Sequence, residues 1–233
     1  MMDTAKDARI LVLEDALRRL NDVVSARRLK IHVEYSKLVE ALKIAGSLLY
    51  EVKYSYIDAS ALAVLEATKN LVAAIDGFAD IYNAAIESVG FKPKTGKEQL
   101  ALAEIDYALR IVKGIPTRLA EHNEDPAYAI DMLAVEISQA HPIENSKNLL
   151  SCRCTDGSRI WHIVTNISDV KPGVKLACGV LPPVEMMNVV SEAMFLGGEA
   201  LQEATELGLL ANPPDSALDQ ARAQVMQITK RMM

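Results

Sequence analysis

The chain has 233 residues, of which 50% are hydrophobic, and its formal net charge is −6. This length allows two compact domains or one large one, and the apolar content excludes a largely disordered chain. The negative balance also argues against a molecule that attracts polyanions over its whole surface.

The first 125 residues carry apolar side chains at helical spacing, in steps of three and four. Four such stripes predict four amphipathic helices, and long helices with one apolar face need neighbours. We therefore predict an antiparallel helical bundle over residues 1–125. The stripes run over Ile10–Val24, Tyr35–Tyr56, Leu65–Ile86 and Leu102–Val112.

The fourth helix has the clearest start and stop signals. Gly90 is expected to end the helix before it, since glycine adopts the left-handed conformation that closes helices. Thr95 and Glu98 have the spacing of a capping box. Gly114 and Pro116 are expected to interrupt or end the fourth helix, because proline removes a helical hydrogen bond.

From residue 129 the pattern changes to short apolar or alternating segments separated by turn signals such as Asp156-Gly157. Five strands joined by hairpin-like turns predict a small β-barrel over residues 129–200. The predicted strands are Met132–Ala140, Leu149–Thr155, Arg159–Thr165, Val174–Val180 and Val189–Leu196.

A helix is expected to resume at Glu199, to break at the Asn212-Pro213-Pro214 stretch, and to continue to the end of the chain. Residues 201–233 are thus predicted to be a C-terminal helical extension. The predicted fold class is α+β and multidomain, with a helical bundle, a five-stranded barrel and this extension.

The three cysteines, Cys152, Cys154 and Cys178, are an odd number, and no uncharged apolar run is long enough to cross a bilayer. A polar start without a secretory signal favours a cytoplasmic protein. Cys152 and Cys154 lie two apart in a predicted strand, and we interpret all three as small core residues rather than metal ligands. No phosphate-binding loop or nucleophile motif occurs, so neither enzymatic activity nor a cofactor is predicted.

Four stretches resemble, in order, the tRNA-binding domain attached to several aminoacyl-tRNA synthetases. The segment Val189–Leu196 is similar to the family's closing strand, Val-x-Ser-(Glu/Gln)-(Gly/Ala)-Met. The stretch His141–Leu149 resembles its His-Pro-x-Ala-Asp-x-Leu turn with two residues inserted. Ile163–Asn166 occupies the place of its Ile-Val-Ser-Gly strand end, and Lys171–Gly173 fits its Pro-Gly turn.

This resemblance implies an OB-like barrel that binds tRNA by shape and charge, without catalysis, beside an aminoacyl-tRNA synthetase. It also implies a homo-oligomer, because free-standing members of that family are dimers. The RNA-binding residues that it implies are Lys147, Arg153, Arg159, Asn166, Lys171, Lys175, Ser191 and Glu192.

An alternative follows from the hairpin before the closing strand, which is basic in that family. Glu185 and Met187 stand where a lysine and an arginine are expected. Residues 129–200 hold five cations and eight anions, a balance of −3. Since cations supply most non-specific affinity for nucleic acid, the barrel could instead be a protein-interaction, assembly or chaperone-like module.

Two features have a plain and a functional interpretation. Cations within Arg18–Lys30 and Lys92–Lys97 could supplement the RNA-binding face of the barrel. The plainer interpretation is that they lie on solvated helix faces and pair with nearby carboxylates.

Trp161 could stack on a base, but alternation places it with Ile163 on an apolar face, opposite His162. We therefore expect Trp161 to pack in the core.

Overall fold

The computed structural model describes residues 2–121 and 124–232. Within them the chain is an α+β protein with six α-helices and six antiparallel strands. It divides into two compact units, Met1–Ala129 with Val225–Met233, and Ile130–Gln224. We call these the helical unit and the sheet unit; the domain boundaries suggested by the sequence stay predictions.

The four long helices of the helical unit confirm the four predicted ones, and their apolar stripes are buried. A short helix that was not predicted, α3, precedes α4. None of the described helices has both the length and the hydropathy to cross a bilayer. The helices are α1 (Ala8–Ser25), α2 (Tyr35–Lys53), α3 (Ala59–Ala63), α4 (Glu66–Val89) and α5 (Gly96–Glu121).

The connection between α4 and α5 follows the predicted capping chemistry. Gly90 adopts the left-handed conformation, with φ of 56°, and ends α4. The Thr95 hydroxyl accepts the N–H of Glu98, and the Glu98 carboxylate accepts the N–H groups of Lys94 and Thr95. The capping box is therefore confirmed, and it fixes where α5 begins.

The prediction that Pro116 interrupts or ends α5 was wrong, because the helix continues to Glu121. The Arg118 guanidinium donates from Nη1 to the carbonyl oxygen of Ile111 at 2.9 Å, next to the helical hydrogen bond that the proline removes. Gly114 leaves room for this buried guanidinium, since a Cβ there would lie 2.6 Å from Nη2 of Arg118. The helix therefore continues through the proline, with a side chain of its own last turn bound to one of its carbonyls.

The sheet unit contains the five predicted strands and a short sixth. Backbone pairing follows the order β3-β2-β1-β4-β5, and β6 also pairs with β1. The backbone ladder is open, with β3 and β5 as its two edges, so the predicted barrel is not closed by backbone pairing. The strands are β1 (Met132–Pro142), β2 (Leu150–Thr155), β3 (Ile160–Thr165), β4 (Lys175–Met186), β5 (Val189–Ala200) and β6 (Gly208–Leu209).

The hairpin of β4 and β5 is longer than predicted, because β4 continues through two prolines to Met186. The register shifts between Val180 and Val184, and such an irregularity tolerates residues that lack an N–H. Met187 and Asn188 form the turn with positive φ angles of 52° and 64°.

The helix expected to resume at Glu199 is not formed, and that prediction was wrong. Strand β5 extends to Ala200, which pairs with Leu176. Gly197 and Gly198 have positive φ angles of 77° and 73°, which a helix does not contain. The last helix, α6 (Asp215–Thr229), begins directly after the predicted proline break.

The core of the sheet unit confirms two further predictions. Trp161 and Ile163 are buried, while Ile160 and His162 are exposed on the other face of β3. All three cysteines are buried, and burial raises the pKa of Cys152 to about 11 and that of Cys154 to about 12. Cys152 and Cys154 are therefore protonated core residues at neutral pH.

Candidate nucleic-acid interface

A row of polar side chains crosses the outer face of the sheet. Gln139 of β1 pairs with Arg153 of β2, which in turn pairs with His162 of β3. Residues paired in this way project from the same face, and all three are exposed. The outer face thus presents one amide, one guanidinium and one imidazole side by side.

Strand β5 reaches the same region through two side chains that bridge to β3. The Glu192 Oε2 accepts the backbone N–H of His162 at 3.0 Å. The buried Ser191 Oγ accepts the N–H of Val164 at 2.9 Å and donates to the carbonyl of Ala193 at 2.9 Å. We call Ser191 and Glu192 the β5 clasp, because they join the two edge strands without a backbone ladder.

Arg159 is held by the same region. Its guanidinium lies over the Trp161 ring, 4.0 Å from the ring centroid, and its Nη2 pairs with Oε1 of Glu192. A cation on an aromatic face with a partly buried carboxylate partner is a stable arrangement. Arg159, Ser191 and Glu192, all predicted to contact RNA, therefore use these polar groups within the chain.

Asp156 fixes the turn between β2 and β3. Its Oδ1 accepts the N–H and hydroxyl of Ser158 and the N–H of Arg159, and its Oδ2 accepts the indole N–H of Trp161 at 2.9 Å. Burial opposes ionisation of this carboxyl, but the hydrogen bonds from Arg159, Trp161 and Ser158 outweigh it and lower its pKa to about 2. The sequence indicated only a turn at this aspartate.

The other predicted RNA-binding residues occupy different places. Lys147, Arg153, Asn166 and Lys171 are exposed. Asn166 follows the pairing of Thr165 with Leu150, so it lies at the end of the sheet where the β1–β2 connection, with Lys147, leads into β2. Lys175 is engaged, because its Nζ donates to the carbonyls of Glu203 at 2.6 Å and Thr205 at 2.8 Å.

Sequence reasoning missed two members of the polar row, Gln139 and His162. Alternation along β3 does place His162 outside, opposite Trp161. What it does not give is the register that puts Gln139, Arg153 and His162 side by side, because a register shift follows Ile137 in β1. Cross-strand neighbours depend on such irregularities and not on local spacing.

Comparison with curated proteins gives no match. Among solved structures, one similar chain is a MetRS related protein from Pyrococcus horikoshii, with 25% sequence identity and a TM-score of 0.30. The similarity covers 42% of this chain and 93% of that one. A family model described as "Alpha helical domain" matches residues 1–121. Since this match spans more than half of the 233 residues, the chain belongs to the alpha helical domain family.

Proposed function

We propose that this chain is a non-catalytic, structure-specific tRNA-binding protein whose sheet unit acts as an OB-like barrel. The observation that carries the proposal is the β5 clasp. Ser191 and Glu192 belong to the segment that resembles the closing strand of the synthetase-associated domain, and they join β5 to β3. An OB fold is a five-stranded, partly open barrel, and the strand order with bridged edges fits that description.

The polar row supports a nucleic-acid ligand. In OB folds the face of strands 2 and 3, with the loops between strands 1 and 2 and between strands 4 and 5, binds oligonucleotides. The corresponding face here carries exposed Arg153 and His162, and the β1–β2 connection carries exposed Lys147. Guanidinium and ammonium groups bind phosphates, while imidazole and amide groups can bind sugars or base edges.

The proposal extends to the setting of the protein. We propose that it acts in the cytoplasm beside an aminoacyl-tRNA synthetase and that it assembles with itself. Co-purification from the native cell, followed by identification of the bound RNA and proteins, tests the synthetase partner. Light scattering on the purified chain tests self-assembly, and a monomer at all concentrations would contradict it.

The central test is titration of the full chain with bulk tRNA at low and moderate salt. We expect Arg153→Gln to weaken binding by about fivefold or more, because it removes a charge-assisted hydrogen bond of about 1 kcal/mol or more. Arg222→Gln is the matched control, since it removes an arginine that pairs with exposed Asp219 on α6. Undetectable binding at both salt concentrations would refute the proposal.

A second function is favoured by the tip of the β4–β5 hairpin. Val184 and Met187 are 49% and 48% exposed there, and Glu185 is exposed beside them. An apolar tip in place of a basic one suits a protein-interaction or assembly module. In that case the double variant Glu185→Lys with Met187→Arg should create tRNA binding that the unmodified chain lacks. Equally tight binding by the unmodified chain would exclude this alternative.

A further inference from the structure

We infer that the helical unit carries its own surface for the phosphate backbone of RNA, separate from the polar row. Six cations on two connections and in the first turn of α5 form it, and we call them the cationic patch. The ligand class rests on the proposed function, whereas the surface rests on contacts within the helical unit alone. Its members are Arg27, Arg28 and Lys30 between α1 and α2, Lys92 and Lys94 between α4 and α5, and Lys97 in the first turn of α5.

Contacts between α1 and α5 bring the two connections together. Near the start of α1, Arg9 donates to the carbonyl oxygen of Arg118, close to the end of α5. Towards the end of α1, Arg19 donates to Glu104, close to the start of α5, at 3.0 Å. The two helices are therefore antiparallel, and the end of α1 lies beside the start of α5.

A local interaction agrees with this arrangement. The N–H of Lys94 is the main cause that lowers the pKa of Glu98, and the positive charge of Lys30 contributes as well. Lys30 belongs to the first connection, and Glu98 follows the second. This effect of Lys30 on Glu98 agrees with the contacts between α1 and α5, which bring the two connections near each other.

The cations of the patch form no ion pairs with carboxylates of the described residues, although the charge of Arg28 helps to lower the pKa of Glu104. All six are exposed, and the two connections with the start of α5 (26–34 and 90–98) contain two acidic residues. Glu98 is used in the capping box, and Glu34 pairs with Lys37 of α2. Among the described residues, none of the six forms an ion pair. Arg27 instead lies over the Tyr35 ring, 5.0 Å from its centroid.

Arg18 and Arg19 are cations of the ordinary kind, which lie on a helix face and pair with nearby carboxylates. Arg18 pairs with Asp15 and Asp22, and Arg19 pairs with Asp15 and Glu104. For these two arginines the interpretation as paired helix-face charges is confirmed. It does not describe the cationic patch, which begins eight residues further along the chain than Arg19.

Stability of the fold accounts for only part of the patch. Arg27 and Arg28 follow the C-terminus of α1, where cations stabilise the helix dipole. Lys97 lies in the first turn of α5, where a cation is unfavourable by about 0.3–1 kcal/mol. A binding role explains a lysine at that position, because the chain as a whole is negative and needs a local positive surface to bring a polyanion close.

The chemistry of the patch favours RNA over a membrane. Surfaces that bind bilayers combine cations with exposed large apolar side chains that insert between lipids. Leu29 and Ile31 between the cations are buried, Phe91 is half-buried, and Val89 is the exposed large aliphatic residue beside them. Six cations beside a single exposed valine suit a hydrated phosphate backbone better than insertion into a bilayer.

Two variants of the full chain with equal net charge test the inference by tRNA titration over a range of salt concentrations. The patch variant carries Lys30→Gln, Lys92→Gln, Lys94→Gln and Lys97→Gln. The control variant carries Lys6→Gln, Lys43→Gln, Lys69→Gln and Lys113→Gln, which are exposed lysines of the same unit outside the patch. The single variants Lys94→Gln and Lys97→Gln are measured too, so that a folding defect in the patch variant does not obscure the result.

We expect the patch variant to bind tRNA on the order of tenfold or more weakly at low salt, with the control close to the unmodified chain. The slope of log Kd against log salt concentration should fall by about 0.9 for each phosphate that the variant no longer neutralises.

Equal affinity and equal salt dependence in the patch and control variants would overturn the inference. The proposed function would still stand if Arg153→Gln weakens binding. If the patch variant binds tRNA more weakly and Arg153→Gln does not, the result would support tRNA binding by the cationic patch and refute tRNA binding by the polar row. Binding to vesicles with anionic lipid, without binding to tRNA, would overturn both.

Discussion

The hydroxyl of Ser191 on β5 accepts the backbone N–H of Val164 on β3 at 2.9 Å, and both residues are buried. We predict that Ser191→Ala lowers the free energy of unfolding by about 1–3 kcal/mol, because the N–H is left buried without a partner. Urea denaturation measures the change. Ser138→Ala is the control, since its exposed hydroxyl donates to the carbonyl of Arg153 and should cost about 0.5 kcal/mol or less. Equal losses of stability in the two variants would contradict the role of the clasp.

Asp156 should make the sheet unit sensitive to acid. Its pKa is lowered to about 2 in the folded chain, from 3.8 for an ordinary aspartate. A depressed folded-state pKa contributes stability above pH 3.8 that is lost as the pH falls towards 2. We expect this contribution to be about 2 kcal/mol.

The measurement compares the unmodified chain with Asp156→Asn by chemical denaturation at several pH values. Asp156→Asn should be less stable at pH 7, and the difference should shrink as the pH falls from about 4 to about 2. Asp169→Asn, an exposed change in the same unit, is the control. A difference between Asp156→Asn and the unmodified chain that does not vary with pH would argue against this role of the carboxylate.

Two helical glycines should respond to alanine with opposite signs. Gly77→Ala in α4 adds a methyl group with nothing within 4 Å, so it should stabilise the chain by about 0.5–1 kcal/mol. Gly114→Ala in α5 places Cβ 2.6 Å from Nη2 of Arg118 and should destabilise by about 1–3 kcal/mol, because the guanidinium must move from the Ile111 carbonyl. Thermal unfolding distinguishes the two. Stabilisation by both substitutions would mean that Arg118 relaxes freely.

Glu104 should destabilise the helical unit as the pH rises. Burial raises the pKa of this carboxyl, whereas Arg19 lowers it, and its Oε2 has no hydrogen-bond partner among the described residues. A raised folded-state pKa gives a contribution that is present below pH 4.5 and lost as the pH rises through the folded-state value. Glu104→Gln should therefore gain stability relative to the unmodified chain between about pH 4 and about pH 8.

Denaturation at those two pH values checks this prediction. Glu40→Gln, an exposed change on α2, serves as the control. The prediction fails if the advantage of Glu104→Gln at the higher pH is no larger than at the lower one.

Features that depend on local spacing could be predicted from the sequence. The alternation around Trp161 and the capping box of Thr95 with Glu98 are examples, because each is decided within a few residues. Passage of α5 through Pro116 could not be predicted, since proline inside a helix removes a hydrogen bond and local spacing alone favours an end there. The polar row and the cationic patch also needed the structure, because each is assembled by packing between separate segments.

The hydrogen bonds between side chains of β5 and the backbone of β3 affect how the protein behaves at high concentration. A sheet edge with unpaired N–H and C=O groups is a template onto which a strand of another molecule can add. Here N–H groups of His162 and Val164 on one edge are already occupied by side chains of the other edge. The molecule thereby withholds these two donors from intermolecular strand addition, and a chain without the Ser191 hydroxyl should form amyloid-like aggregates more readily.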